Sequence, residues 1–137
     1  MPVHATVHTL RLKPGEDLKV GIAAFVTAHQ LKAGHISTCV GSLTDYALRF
    51  ANQKTGATGS GHFEIVSLVG TVGVLGSHLH LAISDEKGTT LGGHLLEGSK
   101  IYTTAEIVII EDQQHVYART LDPTFGYEEL EVVERKD

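Results

Sequence analysis

The chain has 137 residues, of which 42 % are hydrophobic and 20 % charged, and its formal net charge is −5 at pH 7. That length allows one domain with a hydrophobic core, and the acidic balance disfavours autonomous DNA binding, which depends on Lys and Arg contacts to phosphates. No apolar run reaches the about 18 residues that a membrane span needs, and a single cysteine, Cys39, excludes an internal disulfide and indicates a reducing compartment, so we expect a cytoplasmic protein.

The first predicted elements are a strand and a helix. Residues 5–12 alternate between apolar and polar side chains, which predicts a strand with one buried face. Residues 16–33 predict a helix, because apolar side chains recur there every three or four residues. Gly34 follows the last periodic residue and is predicted to end the helix in the left-handed conformation. The predicted buried stripe consists of Leu18, Ile22, Phe25, Val26 and His29.

Strands are predicted for most of the remaining chain. One helix against many strands, with little alternation between the two, is typical of an α+β fold. We therefore expect residues 1–137 to form a single domain in which a mostly antiparallel sheet packs with one main helix. The other predicted strands cover residues 36–51 with a bulge at Gly41, 63–74, 78–83, 90–96, 103–110, 115–121 and 127–133.

A predicted β-hairpin brings three histidines together. Residues 78–83 read His-Leu-His-Leu-Ala-Ile, so the leucines lie on one face of a strand and the histidines on the other. If residues 86–88 form a three-residue loop, with Gly88 adopting a positive φ, His80 lies opposite His94. Directly opposed residues point to the same face. The same register puts Ile83 opposite Leu91 and Leu79 opposite Leu95.

Three imidazoles on one face indicate a metal site. His78, His80 and His94 would supply three nitrogen ligands, and zinc is the first candidate among divalent transition metals. An open coordination position would remain for water or a substrate. Two other interpretations stay open, namely polar side chains on the solvated face of a hairpin and interface residues that titrate between about pH 5 and pH 7.

Three stretches carry a family resemblance. Residues 79–82 (Leu-His-Leu-Ala), 92–98 (Gly-Gly-His-Leu-Leu-Glu-Gly) and 102–108 (Tyr-Thr-Thr-Ala-Glu-Ile-Val) resemble the core of the PPC domain, the plants and prokaryotes conserved domain, whose members are also described as DNA-binding proteins with a PD1-like motif. A fourth stretch, with His62 in place of the family's Arg, is a candidate partner-contact segment. It contains Gly61, His62, Phe63 and Glu64.

The resemblance implies an α+β domain that assembles as a homotrimer and acts as a DNA-binding or regulatory module. Plant members bind DNA through fused AT-hooks, whose Arg-Gly-Arg-Pro core does not occur in this sequence. The resemblance therefore leaves protein partners open as well as DNA. His78, His80 and His94 are also similar to the three-histidine zinc motif of acetolactate decarboxylase, which implies a metal-dependent enzyme or small-ligand-binding protein as the alternative.

Glu106 interrupts the Val- and Ile-rich run of residues 103–110, which predicts a central strand buried on both faces. Buried carboxylates are rare unless they are paired. Glu106 is therefore either an ion-pair partner of a neighbouring Lys or Arg or an outer-shell partner of a metal-binding histidine. The glutamates near the C-terminus are interpreted as a solvated face.

Overall fold

This computed structural model describes residues 3–136, which contain eight strands and one helix joined by turns and loops. All strand pairings are antiparallel, and the predicted α+β class is confirmed. The elements are β1 (Ala5–Leu12), α1 (Leu18–Ala28), β2 (Gly34–Arg49), β3 (Ala57–Val72), β4 (His78–Ser84), β5 (Thr90–Leu95), β6 (Lys100–Asp112), β7 (His115–Asp122) and β8 (Tyr127–Glu134).

Six strands form one sheet that closes partly on itself. Their order is β1-β6-β2-β3-β4-β5, and β2 also pairs with β5. The predicted central position of β6 is confirmed, because β6 lies between β1 and β2, and the bulge predicted at Gly41 is confirmed by a register shift between Gly41 and Leu43. The extra pairing joins the end of β2 to β5 and sets Arg49 opposite His94.

The helix is shorter than its sequence pattern predicts. It begins after Asp17, whose Oδ1 accepts a hydrogen bond of 3.0 Å from the backbone N–H of Val20. It ends at Ala28, and Gln30 takes the left-handed conformation with φ 50°. The prediction that Gly34 caps the helix is wrong, because Gly34 begins β2. Leu31 extends the apolar pattern past the helix end, but it is buried as part of the connection to β2.

The core lies between α1 and the inner face of the sheet. The helix contributes Leu18, Ile22 and Val26, each at most 2 % exposed. The β4–β5 hairpin packs its apolar face into the core, so the side chains on its opposite face do not contribute to the core. The largest fully buried side chains are Leu18, Ile22, Leu31, Leu43, Leu48, Leu81, Ile83, Leu95, Ile101, Ile107, Ile109 and Val72.

The last two strands form a separate two-stranded sheet. The backbone N–H of Tyr117 donates to the carbonyl oxygen of Lys32 at 2.9 Å. Arg119 donates from Nη2 to Oγ1 of Thr71 at 2.8 Å. These contacts seat the β7–β8 hairpin beside the connection between β3 and β4. Within residues 3–136, no helix is long and apolar enough to cross a membrane.

His115 gives this hairpin a pH-dependent attachment. Its Nδ1 lies 2.6 Å from Oδ2 of Asp112, and its Nε2 lies 3.1 Å from Oε1 of Glu134. The hydrogen bond to Asp112 raises the pKa of His115 above its usual value. A raised histidine pKa stabilises the fold fully below the unfolded pKa, and that contribution is lost as the pH rises through the folded pKa.

We expect His115→Gln to be more destabilising at about pH 6 than at about pH 8, because the charged imidazole is populated mainly at the lower pH. Urea denaturation of both proteins at the two pH values measures the difference in the free energy of unfolding. Equal differences at both pH values would show that the proton on His115 contributes nothing to stability.

Candidate metal centre

The β4–β5 hairpin has the predicted register. The backbone N–H of Asp85 donates to the carbonyl oxygen of Thr89 at 2.9 Å, and Gly88 has φ +79°. The loop therefore consists of residues 86–88, as predicted. His80 lies opposite His94, and Ile83 lies opposite Leu91. The side chain of Asp85 stabilises the loop by accepting hydrogen bonds from the backbone N–H groups of Lys87 and Thr89.

The three histidines converge on the face opposite the core. Nε2 of His78 lies 3.2 Å from Nε2 of His80. The ring centroid of His94 lies 5.2 Å from that of His78 and 5.8 Å from that of His80. One nitrogen from each ring lies within 4.8 Å of the others. On the other face of the same hairpin, Leu79 and Leu81 are at most 5 % exposed, so the apolar contacts fix the direction of the imidazoles.

The surroundings of the cluster favour neutral imidazoles. Burial lowers the pKa of His94 to about 4, and the Arg49 guanidinium lowers it in the same direction. Burial also lowers the pKa of His78, followed by the charge effects of His80 and Arg119. A neutral imidazole carries the lone pair that a metal ion binds. At neutral pH the cluster can therefore bind a metal without first releasing protons from these two rings.

The donor set fits a divalent transition metal. Three imidazole nitrogens on adjacent strands match the ligand number of catalytic zinc sites, which leave another position to water or substrate. In the described part of the chain, the cluster that could hold an ion at this place contains these three histidines and no carboxylate. His78, His80 and His94 are thus brought together, and Glu106 is not.

A cavity of about 640 Å³ opens beside the histidines. Arg49 reaches it from the end of β2 and Arg119 from β7, and both are half-buried. Glu128 and Glu129 of β8 line the same cavity and, like the rest of β8, are exposed, as predicted for the C-terminal glutamates. The other lining residues are Phe50, Ala51, Asn52, Gln53, Leu75, Gly76, Ser77, Gly92, Gly93 and Tyr127.

The sequence did not predict that Arg49, Arg119, Glu128 and Glu129 lie beside the histidines. Arg49 is separated from His94 by most of two hairpins, and only the β2–β5 pairing joins them. Arg119 lies in a hairpin whose position depends on tertiary contacts. One local signal was present, namely Gly76 two residues before His78. A Cβ at Gly76 would lie 3.0 Å from Cγ of Arg119, so the glycine makes room for that side chain.

Glu106 is exposed and not buried as predicted. It accepts a hydrogen bond of 3.3 Å from Oγ1 of Thr104 and lies opposite Arg11 of β1 in the strand register. The buried carboxylate of β6 is Glu111, at 6 % exposure. Glu111 accepts hydrogen bonds from the backbone N–H of Lys32 at 2.8 Å and from Nη2 of Arg135 at 3.0 Å. It therefore has a structural partner set far from the histidines in the strand order.

The segment containing Gly61, His62, Phe63 and Glu64 lies in β3 and is mostly exposed. Nδ1 of His62 lies 3.4 Å from Oε1 of Glu86, and the His62 ring lies 4.8 Å from that of Tyr102. Phe63 instead packs edge-on against Tyr46. None of the four residues lines the cavity beside the histidine cluster.

Comparison with known proteins gives a family match and a sequence relative. The profile of the family described as the Plants and Prokaryotes Conserved (PCC) domain matches residues 3–113. The bifunctional protein GlmU of Synechococcus sp. (strain JA-3-3Ab) is 44 % identical over 126 residues, which are 92 % of this chain and 20 % of that protein. The chain thus spans about a fifth of the length of this relative.

Two solved structures share the fold closely. A hypothetical protein from Salmonella cholerae-suis has a TM-score of 0.94 at 42 % identity, covering 98 % of this chain and 99 % of that one. A metal-containing protein from Archaeoglobus fulgidus has a TM-score of 0.81 at 22 % identity, covering 96 % of this chain and 99 % of that one. The family profile ends before β7, whereas both structural matches extend over almost the whole chain.

Proposed function

This chain belongs to the Plants and Prokaryotes Conserved (PCC) domain family, and from that premise we propose that His78, His80 and His94 bind one divalent transition metal ion and present it to a small ligand in the adjoining cavity. Zinc is the first candidate, because it accepts three imidazole ligands and a fourth, exchangeable one. The bound ion would supply a Lewis acid that attracts an oxygen atom of the ligand.

One observation carries the proposal: three imidazole nitrogens within 4.8 Å of one another at the wall of a cavity of about 640 Å³. Neutral imidazoles this close together direct their nitrogen lone pairs to one place, which is the arrangement that a metal ion binds. The Archaeoglobus fulgidus protein of the same fold is described as metal-containing, which supports a metal as the ligand of this cluster.

Metal analysis of protein purified without a histidine tag tests the proposal. We expect about one zinc ion per chain after dialysis against zinc and removal of the excess. Because a ligand that binds only the folded state raises stability by mass action, zinc should also raise the melting temperature, and a chelator should reverse the effect. A protein that takes up no zinc and melts at the same temperature with and without chelator would refute the proposal.

We also propose that the protein assembles as a homotrimer through surfaces that include the β7–β8 hairpin. All eight residues of β8 are exposed, and an isolated two-stranded hairpin is marginally stable in water. Contact with another copy of the chain would bury its apolar side chains and so stabilise the hairpin. The exposed apolar residues of this hairpin are Leu121, Phe125, Tyr127, Leu130, Val132 and Val133.

Light scattering on the column eluate tests the assembly. We expect a mass three times the chain mass of 14.7 kDa. Charging the apolar surface with Val132→Asp should shift the eluting mass towards the monomer, because a buried charge without a partner is costly. A wild-type mass equal to that of one chain would contradict the trimer.

The charge of the chain does not favour DNA as the ligand. The net charge is −5, and the two arginines of the cavity share its lining with Glu128 and Glu129. Phosphate backbones are bound through clustered Lys and Arg side chains. A regulatory role through protein contacts is compatible with the Synechococcus relative, where the matching region is one part of a longer protein.

Catalysis is the alternative that the cavity itself favours. Glu129 is close enough to His78 to raise its pKa, against the larger effect of burial. A carboxylate beside a metal-bound ligand can accept or donate a proton. This places a candidate acid–base group next to the histidines, and the resemblance to acetolactate decarboxylase extends only to the three histidines.

A further inference from the structure

Arg119 has an unused hydrogen-bond donor at the histidine cavity. Its aliphatic part packs over Gly76, with 3.0 Å between Cγ and the place where a Cβ would stand. Its Nη2 donates to Oγ1 of Thr71 at 2.8 Å. Its Nε is buried and has no hydrogen-bond partner among the residues that the structure describes. Since Nε is closed to solvent, a ligand in the cavity cannot reach it, and the donors left for a ligand are the guanidinium N–H groups that Thr71 does not use.

The position of Arg119 relates it directly to the histidines. Thr71, which holds Arg119, lies opposite His78 in the β3–β4 register. Opposed residues on adjacent strands have Cα atoms about 5 Å apart, so the guanidinium lies next to the histidine cluster. On the other side of the cluster, Arg49 lies opposite His94. Two guanidinium groups therefore flank the three imidazoles.

Both arginines lack a carboxylate partner. Across residues 3–136, no Asp or Glu oxygen lies within 4.0 Å of a nitrogen of Arg49 or Arg119. Glu128 and Glu129 line the same cavity but do not form these ion pairs. Each arginine therefore keeps its charge available for an anion.

We propose that Arg119, assisted by Arg49, binds the carboxylate of a small 2-hydroxy or 2-oxo acid whose second oxygen reaches the metal site. This inference rests on the proposed function, because the second oxygen needs the metal. The guanidinium fork matches a carboxylate in plane and spacing. The same planar fork also fits a phosphate, so inorganic phosphate is the competing ligand in the test.

A different role for Arg119 would be a structural brace. In that case its bond to Thr71 would hold the β7–β8 hairpin to the sheet, and ligand binding would not depend on it. Arg11 offers a matched control, since it also donates to a threonine hydroxyl of another strand, from Nε to Oγ1 of Thr104 at 3.0 Å. Arg11 lies outside the cavity lining.

Isothermal titration of glycolate into zinc-loaded protein tests the inference, with wild type, Arg119→Met and Arg11→Met compared. We expect Arg119→Met to weaken glycolate binding by at least about tenfold, the scale of a lost charge-assisted hydrogen bond, with zinc stoichiometry unchanged. Arg11→Met should leave both values as in wild type. If Arg119→Met folds poorly, Arg119→Lys decides, because it keeps the charge but loses the fork and should still weaken binding.

Three outcomes separate the two proposals. Full zinc binding with glycolate affinity equal in wild type and Arg119→Met overturns the carboxylate subsite and leaves the metal site standing. Arg119-dependent glycolate binding by a wild-type protein that takes up no zinc supports the subsite and refutes the proposed function. Inorganic phosphate binding more tightly than glycolate, and depending on Arg119, overturns the assignment to a carboxylate.

Discussion

The double variant His80→Ala, His94→Ala is expected to lose its metal. Removal of two of three nitrogen ligands leaves only His78, and one imidazole cannot compete with water and buffer for zinc. Loss of a single outer-shell partner already costs about 10- to 100-fold in metal affinity, so loss of two direct ligands should exceed that range. Competition with a chromogenic zinc chelator measures the affinity of each protein.

The matched control is the double variant His35→Ala, His62→Ala. Both of these histidines are exposed strand residues, and neither belongs to the cluster. The control should keep the wild-type affinity and a stoichiometry of about one ion per chain. Equal loss of zinc in both double variants would mean that binding comes from scattered surface histidines, and the assignment of the cluster would be abandoned.

Gly70→Ala is expected to be the most damaging small substitution near the site. Gly70 has φ +144°, and a Cβ there would lie 1.9 Å from the carbonyl oxygen of His78. Backbone strain and the clash with a strand that cannot move freely should together cost about 3 kcal/mol in the free energy of unfolding. Because the clash displaces β4 at His78, zinc affinity should fall as well.

Gly88→Ala separates the two causes. Gly88 also has a positive φ, of +79°, but nothing lies within 4 Å of the position of its Cβ. Its substitution should cost only the conformational strain, about 1 kcal/mol, and should leave zinc affinity unchanged. Urea denaturation measures both free energies of unfolding. A cost at Gly70 no greater than that at Gly88 would show that the approach of β3 to β4 is not a constraint on this fold.

The hairpin register could be predicted from sequence because its determinants are local. Alternation of leucine and histidine fixed the two faces of β4, and Gly88 fixed the length of the loop. Together they required His80 to lie opposite His94, as observed. The α+β class could be predicted for a similar reason, since one long periodic segment stood among many alternating ones.

The other half of the cavity could not be predicted, because its residues come together only through tertiary contacts. Arg49 reaches His94 through the closure of the sheet between β2 and β5. Arg119 is positioned by Thr71 and Gly76 after the β7–β8 hairpin has folded back. No periodicity or turn motif in the sequence predicts either contact.

The prediction for Glu106 was wrong for a related reason. A nearly continuous apolar run predicts burial on both faces of a strand, yet from Ala105 onwards only alternate residues of β6 are buried, and those between them are half-buried or, at Glu106, exposed. The buried carboxylate proved to be Glu111, whose partners Lys32 and Arg135 lie far away in the sequence. A charged residue in an apolar run therefore indicates that the strand is not buried on both faces, but it does not show where the buried carboxylate lies.

Anomalous diffraction at the zinc absorption edge, from crystals of untagged protein grown with zinc, tests the central claim most directly. The account predicts one strong peak per chain, about 2.0–2.1 Å from one nitrogen of each of His78, His80 and His94. Crystals grown at saturating zinc whose anomalous maps show no peak among these three rings, or peaks only at other surface histidines, would contradict it.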